Sequence, residues 1–184
     1  MTSQPGLYKK TATGVGILIL VAYGVLVSTA TDSKLLVMIF DLISGLAVIG
    51  IAVLMFPLFK KHSKNLSLGY LLLKIVEGAL MVVGGLLFLN SSLQFVRDWI
   101  YNGIHLYVFI VSGFLFYYLL YISKIVPRYI SVWGEIAIFS LFTKTVLTLF
   151  ELTSPILEIL LILIITNEVF LAIWLMVKGF KLEK

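Results

Sequence analysis

The chain has 184 residues, 61% of them hydrophobic and only 12% charged, with a mean hydropathy of +1.11; a soluble domain carries about 25% charged residues, so an ordinary soluble fold is excluded. The formal charge of +5 does not point to nucleic acid, because the basic residues sit in short clusters between apolar runs and no extended patch interleaves them with aromatics. The absence of cysteine rules out disulfides, thiolate nucleophiles and Cys-ligated metals, and the two histidines, His62 and His105, are too few for a bis-His haem, so no metal and no cofactor is expected.

A membrane-crossing helix needs about 20 apolar residues. Residues 12–30, 35–58, 67–89, 102–122, 130–150 and 156–177 meet that requirement, predicting one all-α transmembrane domain over residues 1–184. Its six helices are joined by short connections, which favour antiparallel neighbours in a bundle. The first run follows Lys9 and Lys10 and ends on Ser28-Thr29-Ala30, the layout of a cleavable signal peptide. It is long for a signal core, and Gly14, Gly16, Gly24 and Ser28 suit helix packing, so the reading keeps it as a span. The second run carries Asp41 near its outer end.

The third run carries Lys74 and Glu77. At about 100° per residue, Lys74, Gly78, Met81 and Gly85 share one stripe, with Glu77 and Gly84 beside it. The charges therefore share a face with the small residues that let helices approach, which marks the inward face. At i,i+3 the pair can also reach each other. The fourth run holds His105 near the outer boundary. The fifth has Glu135 near the inner boundary and a polar stripe of Ser140, Lys144, Thr148 and Glu151 towards the outside. The sixth has Glu158 near the outer boundary, and Asn167 and Glu168 near its middle. Being adjacent, these two diverge by about 100°, so only one can point straight at the bundle axis.

Orientation follows from the Lys/Arg bias. One side holds Lys9, Lys10, Lys60, Lys61, Lys64, Lys124, Arg128, Lys178, Lys181 and Lys184; the other holds Lys34 and Arg97. Ten against two predicts both termini in the cytoplasm of a cell membrane. The same loops suit anionic lipid head groups. Trp99 and Tyr101 on one side, and Tyr121, Tyr129 and Trp133 on the other, sit where amphipathic rings prefer to lie.

A charge at the bilayer centre costs at least about 2.5–3.5 kcal/mol on insertion scales, so each such side chain should face the interior, water or a partner. Asp41, His105, Glu135 and Glu158 lie near boundaries, where hydration is open to them, whereas Lys74, Glu77, Asn167 and Glu168 are too deep for that; the candidates for a binding site or polar core are Lys74, Glu77, Glu168, Asn167, Asp41, Lys144 and His105. The reading expects Lys74 or Glu77 to meet a residue of another span, with Glu168 as the candidate. No zinc-protease helix, nucleophile elbow, phosphate loop or paired acidic motif occurs, so no residue is assigned a catalytic role. Three functions remain: a small binding or transport-type protein built on Lys74, Glu77 and Glu168; a regulatory or accessory subunit with a structural polar network and a membrane-protein partner; and an intramembrane enzyme acting on a lipid or isoprenoid through an outer groove lined by His105 and Asp41.

Four stretches carry a resemblance: "GIAVLMFPLFKKHSKNLSLGYLLLKIVEG" (Gly50 to Gly78), "VRDW" (Val96 to Trp99), "KIVPRYISVWG" (Lys124 to Gly134) and "LAIWLMVKGF" (Leu171 to Phe180). Together and in this order the chain resembles a prokaryotic family of small multi-pass membrane proteins catalogued only as a domain of unknown function. The resemblance implies a six-span bundle in a bacterial or archaeal cytoplasmic membrane and no activity. The family pattern often has Arg where this chain has Lys74, and an ammonium cannot make the bidentate pair with Glu77 that a guanidinium would. The acidic position at Glu168 fits the pattern.

Overall fold

The computed structural model describes residues 5–152 and 154–181; the side chains of residues 5–7, 155, 156 and 158 fall outside that description. In hydrocarbon every peptide N–H and C=O must be bonded within its own segment, which leaves helices as the local solution for long apolar runs. Among the described residues the chain is all-α: α1 (Pro5–Ala22), α2 (Gly24–Ser28), α3 (Lys34–Phe59), α4 (Lys64–Phe88), α5 (Gln94–Ile100), α6 (Leu106–Ser123), α7 (Arg128–Leu149) and α8 (Pro155–Val177). α1 and α2 form one apolar stretch, Tyr8–Ser28. A 3₁₀ turn, α5, a π turn and α6 form another, Ser91–Ser123. With α3, α4, α7 and Ile159–Val177 of α8, these make six helices long and apolar enough to cross a membrane.

The six stretches close into a ring. α1 packs on α3, α3 on α4, α4 on α6, α6 on α7, α7 on α8, and α8 back on α1. The α3–α4 contact is the most extensive, and two glycines explain why. A Cβ on Gly45 would lie 2.6 Å from the Gly78 carbonyl oxygen, and one on Gly78 would lie 2.5 Å from the Gly45 carbonyl oxygen. Only glycine at both positions lets the two backbones touch. At the end carrying Lys60, Lys61 and Lys64, the basic end, Phe59, Tyr70 and Phe116 pack ring on ring, with Tyr70 stacked on Phe116 at 5.5 Å and edge-on to Phe59 at 5.8 Å.

Two stretches depart from the predicted spans. The first breaks at Tyr23, where Tyr23 N–H bonds to the Leu20 carbonyl at 3.2 Å, and α2 then packs mainly on α3. The fourth begins at Ser91 rather than residue 102, so the segment read as an outer loop is helical. It joins α6 through the π turn Tyr101–His105, where Gly103 adopts φ −103°, ψ −105°. A π turn displaces the side chains that follow it by an extra residue, and such turns mark functional positions in many helices.

Candidate functional site

Two buried polar clusters lie along the interior. The first, at the end opposite the basic one, joins α2, α3 and α5. The Arg97 guanidinium donates from Nε to Asp41 Oδ2 at 2.8 Å and from Nη2 to Asp41 Oδ1 at 3.2 Å and Ser28 Oγ at 2.9 Å. Ser28 Oγ lies 2.6 Å from Asp41 Oδ1, and the guanidinium stacks over the Tyr101 ring at 4.5 Å. Asp41 is 0% and Arg97 6% exposed. Hydration, open to Asp41 near a boundary, is not what it finds: burial removes its water, and a bidentate guanidinium takes water's place. Gly84 and Gly85 of α4 make the room, since a Cβ on either would fall within 2.8 Å of Tyr101 or Asp41.

The second cluster lies near the middle of the bundle. Lys74 and Glu77 of α4 are 9% and 1% exposed, and both face inward as the helical phase predicts. Lys74 Nζ lies 3.0 Å from each oxygen of Glu77, the contact of a point charge rather than a fork. Lys74 Nζ also sits 5.0 Å above the Phe109 ring. The interhelix partner is Ser112 of α6, whose Oγ donates to Glu77 Oε2 at 2.8 Å. Glu168, at the middle of the α8 span, instead accepts from Tyr23 Oη at 2.9 Å. The expectation that Glu168 meets Lys74 or Glu77 directly is thus corrected; α8 is not packed on α4, and the space between them is open.

That space consists of two adjoining cavities. One of about 190 Å³ is lined by Tyr23, Glu77, His105 and Glu168 among apolar walls that include Val48 and Ile164. The other, about 60 Å³, is lined by Tyr70, Lys74, Glu77, Phe109 and Glu168. Glu77 and Glu168 border both. Two polar atoms at these cavities are buried with no hydrogen-bond partner, His105 Nε2 and Tyr70 Oη. His105, to which hydration near a boundary was open, is turned inward by the π turn it belongs to.

The remaining sequence candidates lie apart. Asn167 is buried and donates from Nδ2 to the Ile130 carbonyl at 3.1 Å, tying α8 to α7. It diverges from Glu168, as adjacency requires. Lys144 borders a separate cleft of about 430 Å³ with Asn102, Tyr107, Thr145 and Thr148. Glu135 is half-buried on α7, and the Glu158 side chain lies outside the described residues. Among the described residues no three His, Asp or Glu side chains converge as metal ligands would.

Sequence reasoning missed Tyr23, Ser28, Arg97 and Ser112. Arg97 was legible in principle: buried Asp41 needs a cation at its own depth, and Arg97 is one of the two basic residues, with Lys34, that the chain places on that side. The hydroxyls gave no such signal. The family model described as Domain of unknown function (DUF4386) matches residues 21–98 and 87–179. No curated protein and no solved structure matches the chain. The matched residues make up most of the sequence, and the chain belongs to that family.

Proposed function

We propose that this member of the DUF4386 family is a small binding or transport-type membrane protein whose site is the interior cavity bordered by Glu77 and Glu168. One observation carries the reading: carboxylates from two helices that do not pack on each other border one open space, with Lys74 at its edge and two buried polar atoms unsatisfied. A network whose only task was to fix helix register would satisfy its own polar atoms and leave no room. The small residues of α4 are spent inside the bundle, against α3 and α5, which weighs against an exposed stripe for an accessory role. Asp41 is locked to Arg97, which weighs against a groove shared by His105 and Asp41.

Site access is the test, and the cysteine-free sequence makes it clean. Ile164 is 3% exposed yet borders the cavity, whereas Ile138 is 0% exposed in the packed core. A single Ile164→Cys substitution should react with a small water-soluble methanethiosulfonate reagent in lipid discs, and Ile138→Cys should not. Equal inertness of the two would identify a dry structural network.

The Lys/Arg bias supports an orientation with both termini, and the loop carrying Lys60, Lys61 and Lys64, in the cytoplasm of a cell membrane, where anionic lipid head groups suit those loops. In intact cells an impermeant reagent should then label Ser92→Cys and leave Ser63→Cys protected. The opposite pattern would invert the orientation.

A further inference from the structure

The interior cavity has a shape and a charge that narrow its ligand. Glu77 is neutralised by Lys74 at 3.0 Å. Glu168 has a hydroxyl partner, Tyr23, and no basic group within ion-pair distance among the described residues. Glu168 is thus a partly buried cavity carboxyl with no ion pair of its own, and when ionised such a group calls for a cationic partner. Around it the walls are apolar, formed by Val25, Leu26, Met81, Leu161, Ile164 and Ile165. His105 Nε2 and Tyr70 Oη add unused hydrogen-bonding capacity at opposite sides of the space.

Its exits are unequal. Towards the basic end the rings of Phe59, Tyr70 and Phe116 close the bundle. Towards the opposite end Arg97, Asp41 and Ser28 bind α5, α3 and α2 together. Sideways the ring is incomplete. α8 packs on α1 and α7, α2 packs on α3, and α2 and α8 do not pack on each other among the described residues. Leu26 of α2 borders the cavity and is also 48% exposed on the lipid-facing surface, so it stands at a mouth.

We propose that the cavity is entered from the lipid through the gap between α2 and α8, and that it takes an amphiphile bearing a single positive charge. The charged head lies against Glu168 and the apolar tail extends through the gap into the bilayer. This rests on the binding reading above and names its ligand class. The size agrees: liquid water occupies about 30 Å³ per molecule, so about 190 Å³ holds a compact ammonium head and a few methylenes, and a longer tail must project out.

The test uses the full chain in lipid discs, with protein-free discs as background and radiolabelled n-octyltrimethylammonium as probe. The expected result is saturable binding of one probe per chain. Glu168→Gln should weaken it at least tenfold, as should Leu26→Trp, which narrows the mouth from the lipid side without altering a charge. Unlabelled n-octanol and n-octyl sulfate should fail to displace the probe. Displacement by n-octanol as effective as by the unlabelled cation would overturn the charge selectivity. Binding unchanged in both variants would place the cation elsewhere and overturn the proposal. If the probe shows no saturable binding while Ile164→Cys still reacts with the soluble reagent, the cation proposal fails and the binding reading stands. If the probe does not bind and Ile164→Cys is inert, both fail.

Discussion

Lys74 and Glu77 sit near the middle of α4 because each removes most of the other's cost. Two isolated charges at that depth would be expensive; a pair with both carboxylate oxygens at 3.0 Å from one ammonium, a serine hydroxyl at 2.8 Å and an aromatic ring under the lysine is far less so. A non-additive pattern is expected. Lys74→Leu or Glu77→Leu alone should cost about 3–5 kcal/mol by stranding the other charge, while the double change should cost clearly less than the sum. Thermal unfolding of the purified protein in detergent gives the comparison, and additive losses would mean that each residue has a different main partner. The inward direction of both side chains was legible from helical phase, because they ride beside Gly78, Gly84 and Gly85. Their interhelix partners were not. Ser112 and Tyr23 lie in spans without acidic or basic residues near mid-depth, and a lone sequence does not fix how one helix is rotated against another. Glu168 shows the same limit: depth made it a plausible partner for Lys74, but the rotation of α8 hands it to Tyr23.

α3 and α4 meet where Gly45 and Gly78 face each other, and that contact sets the distance between the helices that carry Asp41 and the Lys74–Glu77 pair. A side chain at Gly78 would strike both a backbone carbonyl oxygen and Ile49, and a carbonyl in a helix cannot yield as a side-chain tip can. Gly78→Leu should therefore cost at least about 1–3 kcal/mol, the usual range for overpacking. Gly14→Ala should be tolerated, since its new methyl group would sit 3.6 Å from Leu54 Cδ1, an ordinary contact. Recovery of monodisperse protein and its melting temperature distinguish the two; equal behaviour would mean that the helices have freedom to separate. The six long elements were plain from hydropathy alone. The stretch Ser91–Ile100 was not, because Arg97 and Asp98 lower its apolarity and read as loop charges when no partner is in view. The break at Tyr23 and the π turn at Tyr101–His105 each carry a glycine, Gly24 and Gly103, but an isolated glycine in an apolar run reads equally as a packing residue, so neither break stood out.

At the scale of the whole molecule, the described residues form a ring of six helices sealed at the basic end by aromatic packing and held at the other end by a buried guanidinium, with an interior cavity between them. Membrane character and helix number follow from composition, and the glycine stripe on α4 already marked which face turns inward. The cavity itself was beyond composition, since it exists only because α4 and α8 stand apart across the ring while α2 leaves α8 uncovered. The interior cavity, with walls from α3 and α8, should be a reachable space. Val48 and Ile164 border it from those two helices and carry no charge, so replacing them leaves the polar cluster intact. In the cysteine-free chain, the double variant Val48→Cys/Ile164→Cys should take up one short bis-methanethiosulfonate linker joining both thiols, read as a single linker mass on the intact protein. Two separate adducts, or none, would contradict the account.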